Sequence, residues 1–295
     1  MYKSGFFSIV GCPNVGKSTL LNALVGQKIA IVTDRAQTTR NRITGVLTRD
    51  DYQMIFLDTP GMTIPKNKLG QYMQKTATDS LSDVEAVIFM ADVLIGVRER
   101  DLAILGRLAS VKAPVVVLFN KCDKASKAQI DEAKENVKSA GDFPVTLCVS
   151  AKTGEGMAEL EKLLTSYLVE GPQYFPPDMV TDQPERLIAG EMIREKALML
   201  LSEEVPHGIG VVIDKMELRE GGELMDVWAT IYCERESHKG IIIGKGGKML
   251  KRIGSEARKD VEWLLGVRVN LQLWVKVKDD WRNKTSILNE LGYND

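Results

Sequence analysis

The sequence is poor in the residues that build metal centres and covalent cross-links. It has four cysteines and two histidines in 295 residues. The cysteines are Cys12, Cys122, Cys148 and Cys233. They lie far apart and form no C-x-x-C pair, which argues against both a zinc site and a disulfide framework. His207 and His238 have no partner at a metal-binding spacing, so we assign them no chemistry. We expect reduced thiols in a cytosolic protein.

Long apolar runs are also missing. No stretch approaches the roughly 18 apolar residues that a membrane-spanning helix needs. The apolar segment "FFSIV" at residues 6–10 is too short for a signal sequence and leads directly into a glycine loop. We therefore expect a soluble protein.

An excess of charge of either sign is absent from the chain as a whole. Lys and Arg number 39 and Asp and Glu number 40, for a net charge of −1. The distribution is uneven, because residues 235–285 contain 13 basic and 6 acidic residues, a local charge of +7 that leaves −8 for the remainder. A basic C-terminal part is typical of a surface that binds nucleic acid or an anionic membrane. The alternative is a solvated helix face.

The order of the apolar segments predicts two domains, which the length also favours. Up to about residue 170, apolar runs of strand length alternate with amphipathic segments of helix length. This alternation is typical of an α/β domain with a mostly parallel sheet and helices on both faces. The segment "GVLTRDDYQMIFLD" instead indicates two strands joined by a polar turn. It predicts one antiparallel edge strand.

A proline-rich segment separates the two domains. Residues 171–184, "GPQYFPPDMVTDQP", contain four prolines and show no periodicity, as expected of a linker. The predicted domains are therefore residues 1–170 and 185–295. In the second domain the predicted elements follow the order α-β-β-α-α-β, an α+β arrangement.

The segment "GCPNVGKST" at residues 11–19 fits the P-loop pattern G-x-x-x-x-G-K-[ST]. It follows a predicted strand and opens a predicted helix, which is the context that a P-loop requires. Backbone N–H groups at the helix N-terminus would surround phosphates, Lys17 would place a charge on the β- and γ-phosphates, and Ser18 would offer a hydroxyl to Mg²⁺. The predicted contacts are Gly11, Cys12, Pro13, Asn14, Val15, Gly16, Lys17, Ser18 and Thr19.

The segment "NKCD" at residues 120–123 indicates which base is bound. It follows the apolar run "PVVVLF" directly. A carboxylate at Asp123 can accept hydrogen bonds from both N1–H and the exocyclic amino group of guanine, whereas adenine offers neither donor there. We predict a guanine site formed by Asn120, Lys121 and Asp123.

Two further motifs, "DTPG" at 58–61 and "SAK" at 150–152, each follow a strand. The four motifs in this order resemble the translation-factor-related class of P-loop GTPases, over residues 5–169. The resemblance implies that Asp58 binds Mg²⁺ through water and that the Gly61 N–H meets the γ-phosphate. It also implies nucleotide contacts from the rest of the D-T-P-G motif, from the residue that follows it, and from the S-A-K motif. These residues are Thr59, Pro60, Met62, Ser150, Ala151 and Lys152.

The segment "QTTRNR" at residues 37–42 holds the expected switch threonine. Thr39 is the predicted Mg²⁺ ligand, together with Ser18 and Asp58, because a related pattern in the class keeps the threonine just before an arginine. Thr38 is the alternative. Three arginines nearby, Arg35, Arg40 and Arg42, are candidates for arginine fingers, or else for solvated or partner-bound residues.

The position after the D-x-x-G glycine predicts slow intrinsic hydrolysis. Ras-like enzymes have a glutamine there to orient water, but this chain has Met62, whose thioether can neither orient nor deprotonate water. In related GTPases with asparagine at the position of Asn14, the side chain helps to hold K⁺ beside the phosphates. The alternative is that Asn14 only stabilises the loop turn. The predicted catalytic set is Lys17, Asn14, Thr39 and Gly61.

A second glycine loop, "GIIIGKGGKML" at residues 240–250, is not another P-loop. Gly240 and Gly244 bracket three residues where four are needed, and Gly246 replaces the Mg²⁺-binding hydroxyl. The loop resembles the Ile-Gly-x-x-Gly loop of type II KH domains, which implies close approach of a single-stranded RNA backbone and the reading of about four bases. A simple glycine turn between helices is the alternative. The predicted RNA contacts are Ile243, Gly244, Lys245, Gly246, Gly247, Lys248, Lys251 and Arg252.

A GTPase domain followed by one type II KH domain resembles the Era-type bacterial GTPases over essentially the full length. The resemblance implies binding to small-subunit (16S) ribosomal RNA near its 3′ end and assistance in assembly of the small subunit. It also implies a cytoplasmic location with a peripheral fraction at the inner face of the cell membrane, and we expect a monomer. The alternative function is an RNA-binding scaffold in which GTP is mainly structural.

Overall fold

A computed structural model of the chain describes residues 1–35, 37–62, 64–202 and 204–293. The chain divides into two compact units. The first contains Met1–Val32, Thr39–Ile64 and Met73–Asp182. The second contains Thr33–Thr38, Pro65–Tyr72 and Gln183–Asp295. Two short segments from the N-terminal half of the sequence thus belong to the second unit.

The first unit is built on a sheet in the order β2-β3-β1-β4-β5-β6, in which neighbouring strands are parallel except at two places. The edge strand β2 is antiparallel to β3, which confirms the predicted hairpin, and the short β7 pairs with β1 in antiparallel fashion. The strands are β1 (Lys3–Gly11), β2 (Ile43–Thr48), β3 (Tyr52–Asp58), β4 (Ala86–Asp92), β5 (Val115–Asn120), β6 (Val145–Cys148) and β7 (Val169–Glu170).

Helices follow most of these strands and cover the sheet with two apolar clusters. Every residue of β4 is buried, as expected for a parallel strand with helices on both faces. The predicted α/β class is confirmed. These helices are α1 (Lys17–Val25), α3 (Glu99–Leu108), α4 (Lys127–Lys138) and α5 (Met157–Thr165), with a 3₁₀ turn at Cys122–Lys124. Helix α2 (Lys68–Asp79) begins in a segment of the second unit, which extends to Tyr72.

Residues 173–181, within the predicted linker, belong to the first unit and are hydrogen-bonded to its strands β2 and β3. The Gln53 side chain donates to the carbonyl of Phe175 at 3.0 Å and accepts from the N–H groups of Tyr174 and Phe175. Further along, the Val46 N–H donates to Val180 O at 2.8 Å, and the Thr181 hydroxyl donates to Thr44 O at 2.7 Å. Residues 173–181 therefore lie along β2 and β3, at the β2 edge of the sheet.

The second unit has the predicted order α-β-β-α-α-β, followed by one short helix, α9, that was not predicted. Its sheet has the order β10-β9-β8, with β9 and β10 parallel and β8 antiparallel to β9. A register irregularity lies between Ile213 and Lys215. The elements are α6 (Glu185–Leu200), β8 (Gly210–Leu218), β9 (Leu224–Cys233), α7 (Glu236–Ile243), α8 (Lys248–Leu265), β10 (Arg268–Val277) and α9 (Thr285–Glu290), with 3₁₀ turns at Val205–Gly208, Lys245–Gly247 and Trp281–Asn283.

Every second side chain of β9 is buried against the helices, which explains how this sheet contributes to a core. Val227, Ala229 and Ile231 are fully buried in one cluster with residues of α6 and α8. Because neighbouring residues of a strand point to opposite faces, the side chains between them lie on the other face. The sheet thus has an inner face covered by helices and an outer face.

Candidate functional site

The P-loop lies between β1 and α1, where Gly11 ends the strand and Gly16 precedes the helix. Gly16 has φ 103°, and a Cβ atom there would collide with the side-chain amide of Asn120. Lys17 is buried, and its ammonium donates to the carbonyls of Gly11 at 3.2 Å and Cys12 at 3.0 Å. Burial lowers the pKa of Lys17. The ammonium is therefore held inside the loop that would surround the phosphates.

Ser18, Thr39 and Asp58 meet beside Lys17. The Ser18 hydroxyl donates to Asp58 Oδ2 at 2.7 Å and lies 2.7 Å from Thr39 Oγ1, which is 3.5 Å from the same carboxylate oxygen. Asp58 is 0% exposed, and burial raises the pKa of its carboxyl to about 6, although Lys17 and both hydroxyls act in the opposite direction. The structure thus brings the three predicted metal ligands together from α1, the segment before β2, and the end of β3.

The second oxygen of Asp58 gives a separate reason to expect a cation at this site. Among the residues that the structure describes, Asp58 Oδ1 is buried and accepts no hydrogen bond. A buried carboxylate oxygen without a partner is costly, and a divalent cation or its water would satisfy it. Oxygen donors from two hydroxyls and one carboxylate are suited to Mg²⁺. The residues present therefore fit the predicted ion.

Thr38, the alternative switch threonine, makes different contacts. Its hydroxyl lies 2.7 Å from Thr33 Oγ1 and donates to Arg35 O at 2.7 Å. Within the second unit, the buried Arg194 of α6 donates to the main-chain oxygens of Gln37 and Thr38. The geometry therefore favours Thr39 over Thr38 as the metal ligand. Arg194 has no sequence motif around it, and our sequence analysis missed it.

The D-T-P-G segment is fixed against β1 and the P-loop. The Thr59 hydroxyl donates to Ile9 O at 2.9 Å. Gly61 lies so close to Pro13 that an added Cβ would come within 2.9 Å of it. Met62 donates its N–H to Gly11 O at 3.4 Å, and its side chain packs against an apolar cluster. Thr63 lies outside the described residues.

Asn120 links the base motif to two other loops. This buried side chain donates to Val15 O of the P-loop at 2.8 Å and accepts from the Ala151 N–H at 3.0 Å. Ser150 is buried and its hydroxyl accepts from the Thr153 N–H at 3.2 Å, whereas Lys152 is exposed. The Asn120 amide therefore fixes the P-loop and the S-A-K loop relative to each other.

Lys121 and Asp123 are placed differently from Asn120. The Lys121 ammonium pairs with Asp92 at 2.6 Å and donates to Asn14 O at 3.3 Å. Asp123 is exposed in the 3₁₀ turn after β5, and no protein hydrogen bond to its side chain is found in the described part of the chain. Asp92 was not predicted as a site residue. Its position at the carboxyl end of β4, where ligands of parallel sheets collect, is the signal that would have found it.

The Ile-Gly-Lys-Gly-Gly loop joins α7 to α8. Gly244, Gly246 and Gly247 all have positive φ, of 71°, 61° and 75°. A Cβ on Gly244 would come within 2.7 Å of Met249, whereas nothing lies within 4 Å of the Cβ positions of the other two glycines. The loop therefore has an open backbone face. Four basic side chains on and after it are exposed: Lys245, Lys248, Lys251 and Arg252.

Together these sites define a P-loop GTPase joined to a KH domain. Two family models agree, because residues 6–121 match a family described as 50S ribosome-binding GTPase and residues 204–282 match the KH domain. Among the described residues, no helix is both long enough and apolar enough to cross a membrane.

Full-length relatives identify the family. The chain is 50% identical over 293 residues to GTPase Era of Alkaliphilus oremlandii, with 99% of each chain covered. It is 51% identical over 298 residues to GTPase Era of Clostridioides difficile, with 100% of each covered. The chain belongs to the Era family of GTPases.

Two solved Era structures are similar to the whole chain. One is Era in complex with MgGDPNP and nucleotides 1506–1542 of 16S ribosomal RNA, at 41% identity and a TM-score of 0.95, with 100% of both chains covered. The other is an Aquifex aeolicus Era variant bound to GDP and AlF₄⁻, at 41% identity and a TM-score of 0.93, with 99% of this chain and 100% of that chain covered.

Proposed function

We propose that this chain is a GTP-hydrolysing switch that binds 16S ribosomal RNA near its 3′ end and assists assembly of the small ribosomal subunit. The observation that carries the proposal is the presence in one chain of an assembled Ser18, Thr39 and Asp58 site and an open glycine loop with exposed lysines. The 16S RNA in the similar Era complex supports the RNA target. The protein would act as a monomer in the cytoplasm, with a peripheral fraction at the inner membrane face.

At the nucleotide, each group has a distinct role. Ser18, Thr39 and Asp58 would hold Mg²⁺, directly or through water, and the bound ion would supply positive charge near the β- and γ-phosphates. Lys17 would exchange its two loop carbonyls for phosphate oxygens, and the Gly61 N–H would donate to the γ-phosphate. The Met62 thioether packs against apolar residues and has no group that can orient water. We therefore propose a slow intrinsic rate.

A monovalent cation would complete the site through Asn14. This residue has φ 67°, a conformation that asparagine tolerates better than most residues. We expect GTP hydrolysis to be at least about tenfold faster in KCl than in NaCl, because a fixed cation stabilises charge that develops as the phosphate bond breaks. Single-turnover rates at matched ionic strength measure the effect. In Asn14→Gly, which keeps the backbone conformation accessible, the K⁺ advantage should disappear. Equal wild-type rates in both salts would restrict Asn14 to a role in the loop turn.

The competing scaffold function predicts a different response to RNA. For a switch, RNA with the sequence of nucleotides 1506–1542 should accelerate GTP hydrolysis by roughly tenfold. A GTP analogue should also tighten RNA binding relative to GDP, and RNA should tighten binding of the analogue relative to GDP by the same factor, because linkage makes the two binding effects equal. Hydrolysis assays and RNA titrations on the full chain test both, with the complementary RNA strand as control. RNA affinity that is the same in every nucleotide state, with unchanged hydrolysis, would favour the scaffold.

A further inference from the structure

Two tryptophans form a pair on the outer face of the sheet in the second unit. Trp228 of β9 and Trp274 of β10 are 37% and 43% exposed, with ring centroids 5.8 Å apart and an edge-to-face angle of 66°. Their neighbours Val227 and Val275 point to the buried inner face. A single exposed apolar residue is unremarkable, but adjacent exposed tryptophans on neighbouring strands form a patch. The core of the unit does not require them there.

Two lysines and a glutamine lie close to the tryptophan pair. Lys215 Nζ lies 5.0 Å from the centroid of the Trp228 ring. In the register of the two strands, Gln272 is opposite Trp228, and Lys276 lies two residues beyond Trp274 on the same face. Both Gln272 and Lys276 are exposed. The pair is therefore flanked by hydrogen-bonding and positively charged side chains.

The charge on this face is uneven. Strand β10, "RVNLQLWVKV", has no acidic residue and contributes exposed Arg268 and Lys276. The carboxylates on the neighbouring strands already have partners: Glu217 pairs with Lys215 at 2.8 Å, Asp226 pairs with Arg219 at 2.7 Å, and Asp214 accepts from Thr230 at 2.7 Å. Lys276 therefore places positive charge near Trp274, and Arg268 lies at the start of the same strand.

This combination is suited to nucleic acid. Aromatic side chains on an open sheet face, next to basic residues, stack bases in other RNA-binding folds, and such stacking tolerates any base. The glycine loop is expected to take about four nucleotides. The similar Era complex contains nucleotides 1506–1542, a much longer RNA. An RNA of that length offers nucleotides beyond those four to a second surface of this chain.

We propose that Trp228 and Trp274 form a stacking platform for RNA bases, separate from the glycine loop, with Arg268 and Lys276 contacting phosphates beside it. The inference rests on the proposed RNA-binding function and adds a second contact surface to it. The platform lies on the sheet face opposite the helices α6 and α8, whereas the loop precedes α8.

The test compares three variants of the full chain in binding a fluorescein-labelled RNA of the sequence 1506–1542. Trp228→Leu/Trp274→Leu keeps apolar side chains but removes the rings, and should weaken binding by at least about tenfold. Trp228→Phe/Trp274→Phe keeps rings and should bind within about threefold of wild type. Trp263→Leu removes an exposed tryptophan from α8, and should bind as wild type does. GTP hydrolysis without RNA should be the same in all three.

Tryptophan fluorescence gives a second measurement that does not depend on the leucine variant. In the Trp263→Leu background only Trp228, Trp274 and the fully buried Trp281 remain. Saturable quenching by RNA is expected there. Wild-type affinity in the leucine pair, absence of quenching, or insertion of the pair into phosphatidylglycerol vesicles in place of RNA would overturn the platform. Failure of the wild-type chain to bind RNA at all would overturn the proposed function as well.

Discussion

Asp123→Asn should weaken GTP binding by about a hundredfold and make xanthosine triphosphate the better ligand. The exposed Asp123 carboxylate has no protein hydrogen bond among the described residues, so both of its oxygens are available to the base. Guanine offers two donors, and each mismatched hydrogen bond costs roughly 1–3 kcal/mol. Xanthine has an oxygen at C2, to which the asparagine amide would donate. Titration with fluorescent GTP and xanthosine triphosphate analogues measures both affinities.

Asp131→Asn is the matched control for this exchange. Asp131 is an exposed carboxylate on α4, so the control makes the same chemical and charge change outside the base motif. It should leave both nucleotide affinities unchanged. Unchanged GTP affinity in Asp123→Asn would remove this residue from the base site and leave guanine selection to the S-A-K loop.

Replacing Lys245 and Gly246 together by aspartate should lower RNA affinity by about a hundredfold at low salt while GTP affinity stays as in wild type. The change places negative charge on the open backbone face of the loop and fills space that is empty within 4 Å. For single strands, each lost phosphate contact should also reduce the slope of log affinity against log salt by about 0.7. Filter binding across a KCl series, with GTP affinity measured in parallel, determines both quantities.

A control with the same residue types separates charge at the loop from charge in general. Lys127→Asp/Gly96→Asp makes the same change of net charge in the first unit, where Lys127 is exposed and Gly96 also has a positive φ of 77° with nothing within 4 Å. RNA affinity in this control should fall by less than about threefold. If the loop variant retains wild-type RNA affinity, the Gly-Lys-Gly-Gly segment is only a turn between helices.

The fold could be predicted because its sequence signals are local. Strands such as "AVIFMAD" are continuously apolar because both faces are buried, and the motifs follow those strands at fixed spacing. The Era-type resemblance was inferred from motifs that stand in order along the chain, and the full-length relatives confirm it. The domain boundaries and the roles of individual site residues stay predictions, which the proposed variants address.

Contacts between distant residues could not be predicted from local pattern. Nothing in "NKCD" shows that the Asn120 amide holds the P-loop through Val15, 105 residues away. The preference for Thr39 over Thr38 as the predicted metal ligand depends on which hydroxyl reaches Ser18. Trp228 and Trp274 become neighbours only through strand register, which a single sequence does not specify.

Residues 173–181, which lie along β2, affect how readily this sheet edge pairs with a strand of another molecule. An edge strand with unpaired N–H and C=O groups can recruit a strand from another molecule and begin aggregation. Here Val180 accepts from the Val46 N–H and Thr181 donates to Thr44 O. Residues of the predicted linker thereby occupy hydrogen-bonding groups of the edge strand β2. The connection thus also limits strand pairing with other molecules in concentrated solution.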